Sequence, residues 1–209
     1  MNEILTLKCP AKLNLNLIIL GKRDDGLHNI SSIFQLIDLS DVMTIKRSGL
    51  KSKSIIVNSD KSLNNENNIV SKVIDSLEIH SQKKIFCDIR IKKNIPIGGG
   101  MGGGSSNAAT ALVGINLLFN LNISINTLRK IGKELGADIP FLDRFKEVNR
   151  VYPALQEIHP LSLSGTGSTL FYAYDDFSKI KKSLKKIPTK WRHSFCEPLQ
   201  CSPLLTYLT

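Results

Sequence analysis

The sequence predicts an α+β fold, and three observations carry that prediction. Stretches in which apolar and polar residues alternate, the period of a strand with one buried face, recur through the first half of the chain. Among them lie segments whose apolar residues return every three or four positions, as on an amphipathic helix. Between one such strand and one such helix stands the run NIPIGGGMGGGSS, residues 94–106.

Taken in order, Leu5, Leu7 and Cys9 alternate with Thr6 and Lys8 as a first strand, which Pro10 is expected to stop. Residues 11–17 then place Leu13, Leu15 and Leu17 on one side and Lys12, Asn14 and Asn16 on the other. A lysine and two asparagines are costly to bury without partners, so this side is either a plain solvent-facing surface or a polar wall of a site. The pattern alone leaves both open. Residues 21–29 read as a turn with Asp25-Gly26 as its hairpin signal, and His28 just after it is either a polar loop residue or a ligand contact. Residues 33–39 and 42–46 read as strands flanking a turn at Ser40-Asp41, and residues 54–58 as a short strand. Residues 61–68 form a polar loop. Ile69, Val70, Val73, Ile74 and Leu77 mark an amphipathic helix, and in residues 84–92 Ile85, Cys87, Ile89 and Ile91 alternate with Lys84, Asp88, Arg90 and Lys92 as a strand.

That strand leads into the glycine run, whose six glycines split by Met101 weaken any helix or strand. What they supply is main chain without a Cβ, so that peptide N–H groups can turn inward onto an anion. Ser105 is expected to cap the helix that follows, which carries Ala108, Ala111, Leu112, Ile115 and Leu118. Strand, glycine loop and helix N-terminus together bind phosphate, through open amides and the positive end of the helix dipole. No Gly-Lys-Ser/Thr closes the loop, so it is not a Walker A motif. The alternative is a flexible hinge, but a hinge has no need of a patterned strand before it and a capped helix after it.

Beyond it, Ser124 caps a helix carrying Leu128, Ile131 and Leu135, which Gly136 ends. Asp138, in GADIPF, is either a turn residue or a carboxylate held at the edge of a site by the fixed path of Pro140. Residues 145–152 read as a helix, residues 164–168 (SGTGS) as a second glycine turn, and residues 169–174 as an apolar strand. Phe177, Ile180 and Leu184 then mark a helix whose lysine-rich opposite side is solvated.

At 209 residues, 42% hydrophobic and 22% charged, the chain can bury a proper core. A net charge of +10 suits an anionic partner, either nucleic acid or a phosphorylated small molecule. Aromatic residues make up only 6% and no basic stretch is interleaved with them, which argues against nucleic acid; solvated faces of a lysine- and asparagine-rich protein explain most of the charge. Cys9, Cys87, Cys196 and Cys201 form no C-x-x-C pair and have no histidine at ligand spacing, which argues against a metal or redox centre. No signal peptide is read at the N-terminus, so the thiols are expected to be reduced in a cytoplasmic protein. Apolar runs are too short to span a bilayer.

Separated blocks then come together: PAKLN at 10–14 with DGLH at 25–28, PIGGGMGGGSS at 96–106 with NAA at 107–109, GADIP at 136–140, and GTG at 165–167. Together they resemble the GHMP kinase superfamily. The first block is similar, within it, to the family of kinases acting on 4-diphosphocytidyl-2-C-methyl-D-erythritol rather than to mevalonate or homoserine kinases. The likeness runs to about residue 142 and resumes from about residue 144, with SPL at 202–204 also matching. It implies a GHMP-kinase-like two-domain fold, with residues 1–142 as the ATP-binding domain and its linking helix. Residues 143–209 are then a shortened C-terminal domain, and the active cleft lies between the two.

The resemblance further implies ATP-dependent phosphorylation of the substrate's 2-hydroxyl, a step of the non-mevalonate route to isoprenoid precursors. Pro96, Ile97, Gly98, Gly99, Gly100, Met101, Gly102, Gly103, Gly104, Ser105 and Ser106 match the residues that wrap the ATP phosphates, with Mg²⁺ bridging those phosphates. Lys12 and Asp138 match the catalytic lysine and aspartate. Asn14 and His28 match residues of the substrate pocket, His28 at the cytosine. The implied partner is a cytidine diphosphate-linked polyol, with no nucleic acid and no membrane. Two departures accompany the match. Leu27 stands where the family usually has an aromatic residue able to stack on cytosine, a contact of about 1–3 kcal/mol per base. A long family segment is also missing between Phe141 and Phe145, which predicts unpaired strand edges in the second domain. Two rivals to the kinase remain: a degenerate homologue that only binds nucleotide, and a basic nucleic-acid-binding protein.

Overall fold

The computed structural model describes residues 3–22, 28–49, 52–57, 68–136, 162–164, 169–171, 173–174 and 192–207. Two long antiparallel strands form its spine, β1 (Ile4–Lys22) and β2 (His28–Arg47). Pairing runs from Ile4 opposite Lys46 to Lys22 opposite His28, as a hairpin requires, while residues 23–27 of the expected turn lie outside the described residues. His28 therefore begins a strand rather than sitting in a loop.

Two expected breaks are absent. Pro10 does not stop β1, because the register shifts there: Pro10 faces Ser40 and Ala11 faces Ile37, leaving Asp38 and Leu39 as extra residues on β2. A proline has no N–H to give a ladder, and an irregularity in the pairing is where that omission is tolerated. Nor is Ser40-Asp41 a turn; both residues lie inside β2, and the Asp41 side chain is fully buried. Its donors, described below, make burial acceptable for a carboxylate.

The sheet continues with β3 (Ser54–Val57) and β4 (Cys87–Lys92), in the order β1-β2-β4-β3. Strand β4 runs antiparallel to β2 and parallel to β3. A parallel neighbour needs a crossover, and α1 (Ile69–Ser81) supplies it. The expected alternation in β4 holds, with Cys87, Ile89 and Ile91 buried and Arg90 and Lys92 exposed. Asn68 caps α1 by accepting from the Val70 amide at 2.9 Å. The rest of the expected polar loop, residues 61–67, lies outside the described residues.

Two more helices, α2 (Gly103–Leu118) and α3 (Ile125–Leu135), complete the helical layer. Ser124 caps α3 through the Thr127 amide and Gly136 ends it, as expected. Helix α2 packs against β1, β2 and the other two helices, and is buried almost all round from Ser106 to Ile115. Gly114 lets it come that close: a Cβ there would lie 2.7 Å from Ile45 Cδ1 and 2.8 Å from Leu7 Cδ1. The core between the layers joins Met43, Ile45, Ile89 and Ile91 of the sheet to Val73, Ile74 and Leu77 of α1 and Leu112 and Ile115 of α2. Burial raises the Cys9 thiol to about 11 and the Cys87 thiol to about 12, so neither is a ready nucleophile.

The later chain is described in part. Strands β5 (Ser162–Leu163) and β6 (Leu170–Phe171) pair antiparallel around the second glycine turn, of which residues 165–168 lie outside the described residues. Of the strand expected over residues 169–174, the described part is Leu170–Phe171, and Tyr172 lies outside the described residues. The helices expected over residues 145–152 and around Ile180 lie outside the described residues. Near the C-terminus the chain returns to the sheet. Pro198 bridges Ile37, the Asp38 amide donates to Glu197 O at 3.0 Å, and the Leu199 amide donates to Leu36 O at 2.8 Å. This segment covers a stretch of β2 that β4 does not reach. A 3₁₀ turn, Pro203–Tyr207, then seats Leu204 in the main core.

At the end of α1, Glu78 accepts from the Ile85 amide at 2.8 Å and from Lys53 Nζ at 3.0 Å. Burial alone would raise the Glu78 pKa, but the Ile85 amide and the Lys53 ammonium outweigh it and hold the carboxyl below its ordinary 4.5. A depressed carboxyl pKa contributes stability above the unfolded value and loses it as pH falls through the folded value. Glu78→Gln is therefore expected to cost about 1–2 kcal/mol at pH 7. It should also flatten the acid side of a Tm-against-pH curve below about pH 4.5, where wild type and variant converge.

Candidate active site

The glycine run is anchored at both ends by apolar side chains. Ile95 and Met101 are buried in a small cluster with Ala11 and Ile37, which explains the one methionine among the glycines. Between these anchors Gly98 and Gly100 have φ of +75° and +73°, and Gly102 follows at +68°. Repeated left-handed residues turn successive amides toward one side, the geometry of an anion nest.

Helix α2 starts at Gly103 with Gly102 as its N-cap, and no side chain caps it. Ser105 is therefore not the cap but the third residue of the helix. Starting on glycine rather than serine leaves the first amides without intrahelical or side-chain partners, at the positive end of the dipole.

Lys12 comes to this loop from β1. Its amide donates to Met101 O at 3.0 Å, and its stem lies along Gly102, where a Cβ would sit 3.0 Å from Lys12 Cγ and 3.2 Å from Cε. The absence of a side chain at Gly102 makes the channel for the lysine. Lys12 Nζ donates to Asn14 Oδ1 at 2.5 Å and stands 4.9 Å from the centroid of the Phe34 ring. Asn14 Nδ2 in turn donates to Ser32 Oγ at 2.8 Å. Lys12 is only 7% exposed and Asn14 only 3%, so at these two positions the polar side is a wall and not a solvent-facing surface, while the Asn16 side chain lies outside the described residues. Before the register shift Leu7 and Cys9 are buried, and after it burial runs through Ala11 to Lys12 and Asn14, so the buried parity changes at the irregularity beside Pro10.

The structure thus brings Lys12, Asn14 and the run from Pro96 to Ser106 together. Within that run Ile97 is exposed, while the Met101 side chain faces the core and leaves its carbonyl to the loop. The His28 side chain and the whole of Asp138 lie outside the described residues. Sequence reasoning missed several participants. Ser164 is buried and bridges the site, donating to Gly100 O and accepting from the Asn14 amide, both at 3.4 Å. Ser32 and Phe34 gave no signal beyond strand alternation, and Asp41 was disguised as a turn residue. Among the described residues no group of three or more His, Cys, Asp or Glu side chains gathers that could hold a metal ion. Also among them, no helix is long and apolar enough to cross a membrane.

A glycine nest opening onto an uncapped helix start, with a buried lysine beside it on an α+β scaffold, has the chemistry of a phosphate-binding site. Residues 68–142 match the model of the GHMP kinases N terminal domain. The chain is 38% identical over 190 residues to the 4-diphosphocytidyl-2-C-methyl-D-erythritol kinase of Thermodesulfovibrio yellowstonii, covering 91% of this chain and 62% of that protein. It is 30% identical to the kinase of that name from a Marinomonas species, covering 94% of this chain and 88% of the relative. The chain belongs to the 4-diphosphocytidyl-2-C-methyl-D-erythritol kinase family. The Marinomonas alignment runs over 271 positions, more than the 209 residues of the chain, so the relative carries internal sequence that this chain lacks.

Among solved structures, a 4-(cytidine 5'-diphospho)-2C-methyl-D-erythritol kinase superposes with a TM-score of 0.55 at 27% identity, covering 66% of this chain and 48% of that one. The homoserine kinase of Cytophaga hutchinsonii, at 0.51 and 19% identity over 65% of this chain and 41% of its own, shares the fold. The chain spans between about half and two thirds of the length of the first curated relatives it matches, 62%, 46% and 49% for three of them.

Proposed function

We propose that the chain is an ATP-dependent kinase that phosphorylates the 2-hydroxyl of 4-diphosphocytidyl-2-C-methyl-D-erythritol, a cytoplasmic step toward isoprenoid precursors. The observation that carries this reading is the Lys12 ammonium, buried in a channel that Gly102 opens beside the uncapped start of α2. Phosphoryl transfer asks mainly for positioning and charge stabilisation, and a backbone cradle with one lysine supplies both. Residues 1–142 serve as the nucleotide-binding domain and residues 143–209 as the shortened second domain.

In this mechanism the amides of the nest and of the first turn of α2 hold the ATP phosphates. Ser106 suits a role beside them: its hydroxyl is buried one turn into α2 with no hydrogen-bond partner among the described residues, an oxygen donor of the kind Mg²⁺ takes. Bound there with the phosphates, Mg²⁺ would neutralise their charge. Asn14 fixes the lysine, and Lys12 faces the transferring group. Asp138 is the general base that accepts the proton of the acceptor hydroxyl. His28 contacts the cytosine.

The test is ADP release from ATP and Mg²⁺ with diphosphocytidyl-methylerythritol present or withheld. Acceptor-dependent release is expected. Nucleotide binding without release would make the chain a degenerate homologue, a reading favoured by the internal sequence it lacks beside the Marinomonas relative. Salt-dependent binding to random oligonucleotides, with no ADP formed, would point to nucleic acid instead.

A further inference from the structure

We propose that Asp41 is a positioning residue for the nucleotide loop, an inference that rests on the kinase reading. Its carboxylate is fully buried and is held entirely by donors among the described residues. Oδ1 accepts from the amides of Asn94 at 2.8 Å and Ile95 at 2.9 Å. Oδ2 accepts from Asn107 Nδ2 at 3.1 Å and from the Lys93 ammonium. Lys93 Nζ also donates to Asn107 Oδ1 at 3.1 Å, and Asn94 Nδ2 donates to Ser40 O at 2.7 Å.

One carboxylate thus ties four pieces together: β2, the residue after β4, the first residues of the glycine run, and the second turn of α2. Stability alone is a poor reason for such an arrangement, since well-packed apolar residues often serve as well as a buried ion pair. What the network does fix is the relation between where the loop leaves the sheet and where α2 begins. The amide nest hangs between those two points. Lys93 Nζ would lie 3.2 Å from a Cβ on Gly103, so the network also holds a cation against the first residue of the helix.

Asp41→Asn keeps an acceptor for the Asn94 and Ile95 amides but turns a second donor toward Lys93 and Asn107. On this proposal the variant binds ATP at least about tenfold more weakly, while the KM of the acceptor alcohol stays within about twofold. Titration with a fluorescent ATP analogue and steady-state kinetics read the two, with circular dichroism and Tm confirming the fold. Asn107→Ala is the companion variant, because it frees α2 from the network and leaves the Lys93–Asp41 pair whole. It should weaken ATP by about threefold or more with little change in Tm, and it decides the matter if Asp41→Asn does not fold. Folded variants that bind ATP like wild type, or that lose both substrates equally, overturn the positioning role. Wild-type protein that binds no nucleotide overturns the kinase reading instead.

Discussion

Lys12→Ala is expected to lower kcat by about 10²–10³-fold or more while ATP affinity changes by only a few-fold. The division follows from where the two functions reside. In the proposed mechanism the amides that hold phosphate belong to the main chain of residues 98–105, and truncating Lys12 removes none of them. The ammonium there opposes the charge that builds on the transferring group, so its loss falls on the chemical step. Lys12→Arg should not rescue, because the stem runs against Gly102 and the ammonium is set by a 2.5 Å bond to Asn14, a slot too narrow for a guanidinium fork. Asp138→Asn should cause a loss of similar size with ATP binding intact. If the two act on one step, the double variant will be scarcely slower than either single. Single-turnover kinetics and nucleotide titrations measure both quantities, and near-normal turnover in either single variant removes its assignment.

The parts of the fold that the sequence made legible are those where one periodicity and one buried face coincide. Strand β4 and helices α1 and α3 are of this kind, and Ser124 and Gly136 bound α3 as local rules require. The long strands were broken in the wrong places for a physical reason. A proline, or a Ser-Asp pair, marks a turn when its polar groups go to solvent, and marks an irregularity or a buried network when tertiary partners meet them. Only the fold decides which. Asp41 finds its partners 52 to 66 residues further along the chain, so no window of sequence contains the information. The start of α2 was misplaced by three residues because capping logic looks for a side chain, and this helix starts on glycine. The polar wall of Lys12 and Asn14 was open between two readings until the register shift at Pro10 showed which side was buried.

Gly102→Val is expected to abolish turnover and also to weaken ATP binding, and comparison with Gly98→Ala can separate its two causes. Both glycines occupy the left-handed region, at +68° and +75°. Placing an L side chain there costs about 1–2 kcal/mol, more for a β-branched residue, and tends to turn the nest amides out of line. At Gly98 that is the whole effect, since a Cβ there meets nothing within 4 Å. At Gly102 the new Cβ would also press on the Lys12 stem, 3.0 Å from Cγ and 3.2 Å from Cε. The Lys12 stem must shift by a few tenths of an ångström for one methyl and further for the branched side chain of valine, which draws the ammonium off its bond to Asn14. Gly98→Ala should therefore weaken ATP binding by about tenfold with kcat largely kept. Gly102→Ala should add a kcat loss approaching that of Lys12→Ala, and Gly102→Val should extend it to the limit of detection. The further expectation is that Lys12→Ala made on top of Gly102→Ala slows the enzyme little more, because the lysine has already been displaced. If the two losses instead multiply, Gly102 does not act through Lys12, and the channel it opens is not what places the ammonium.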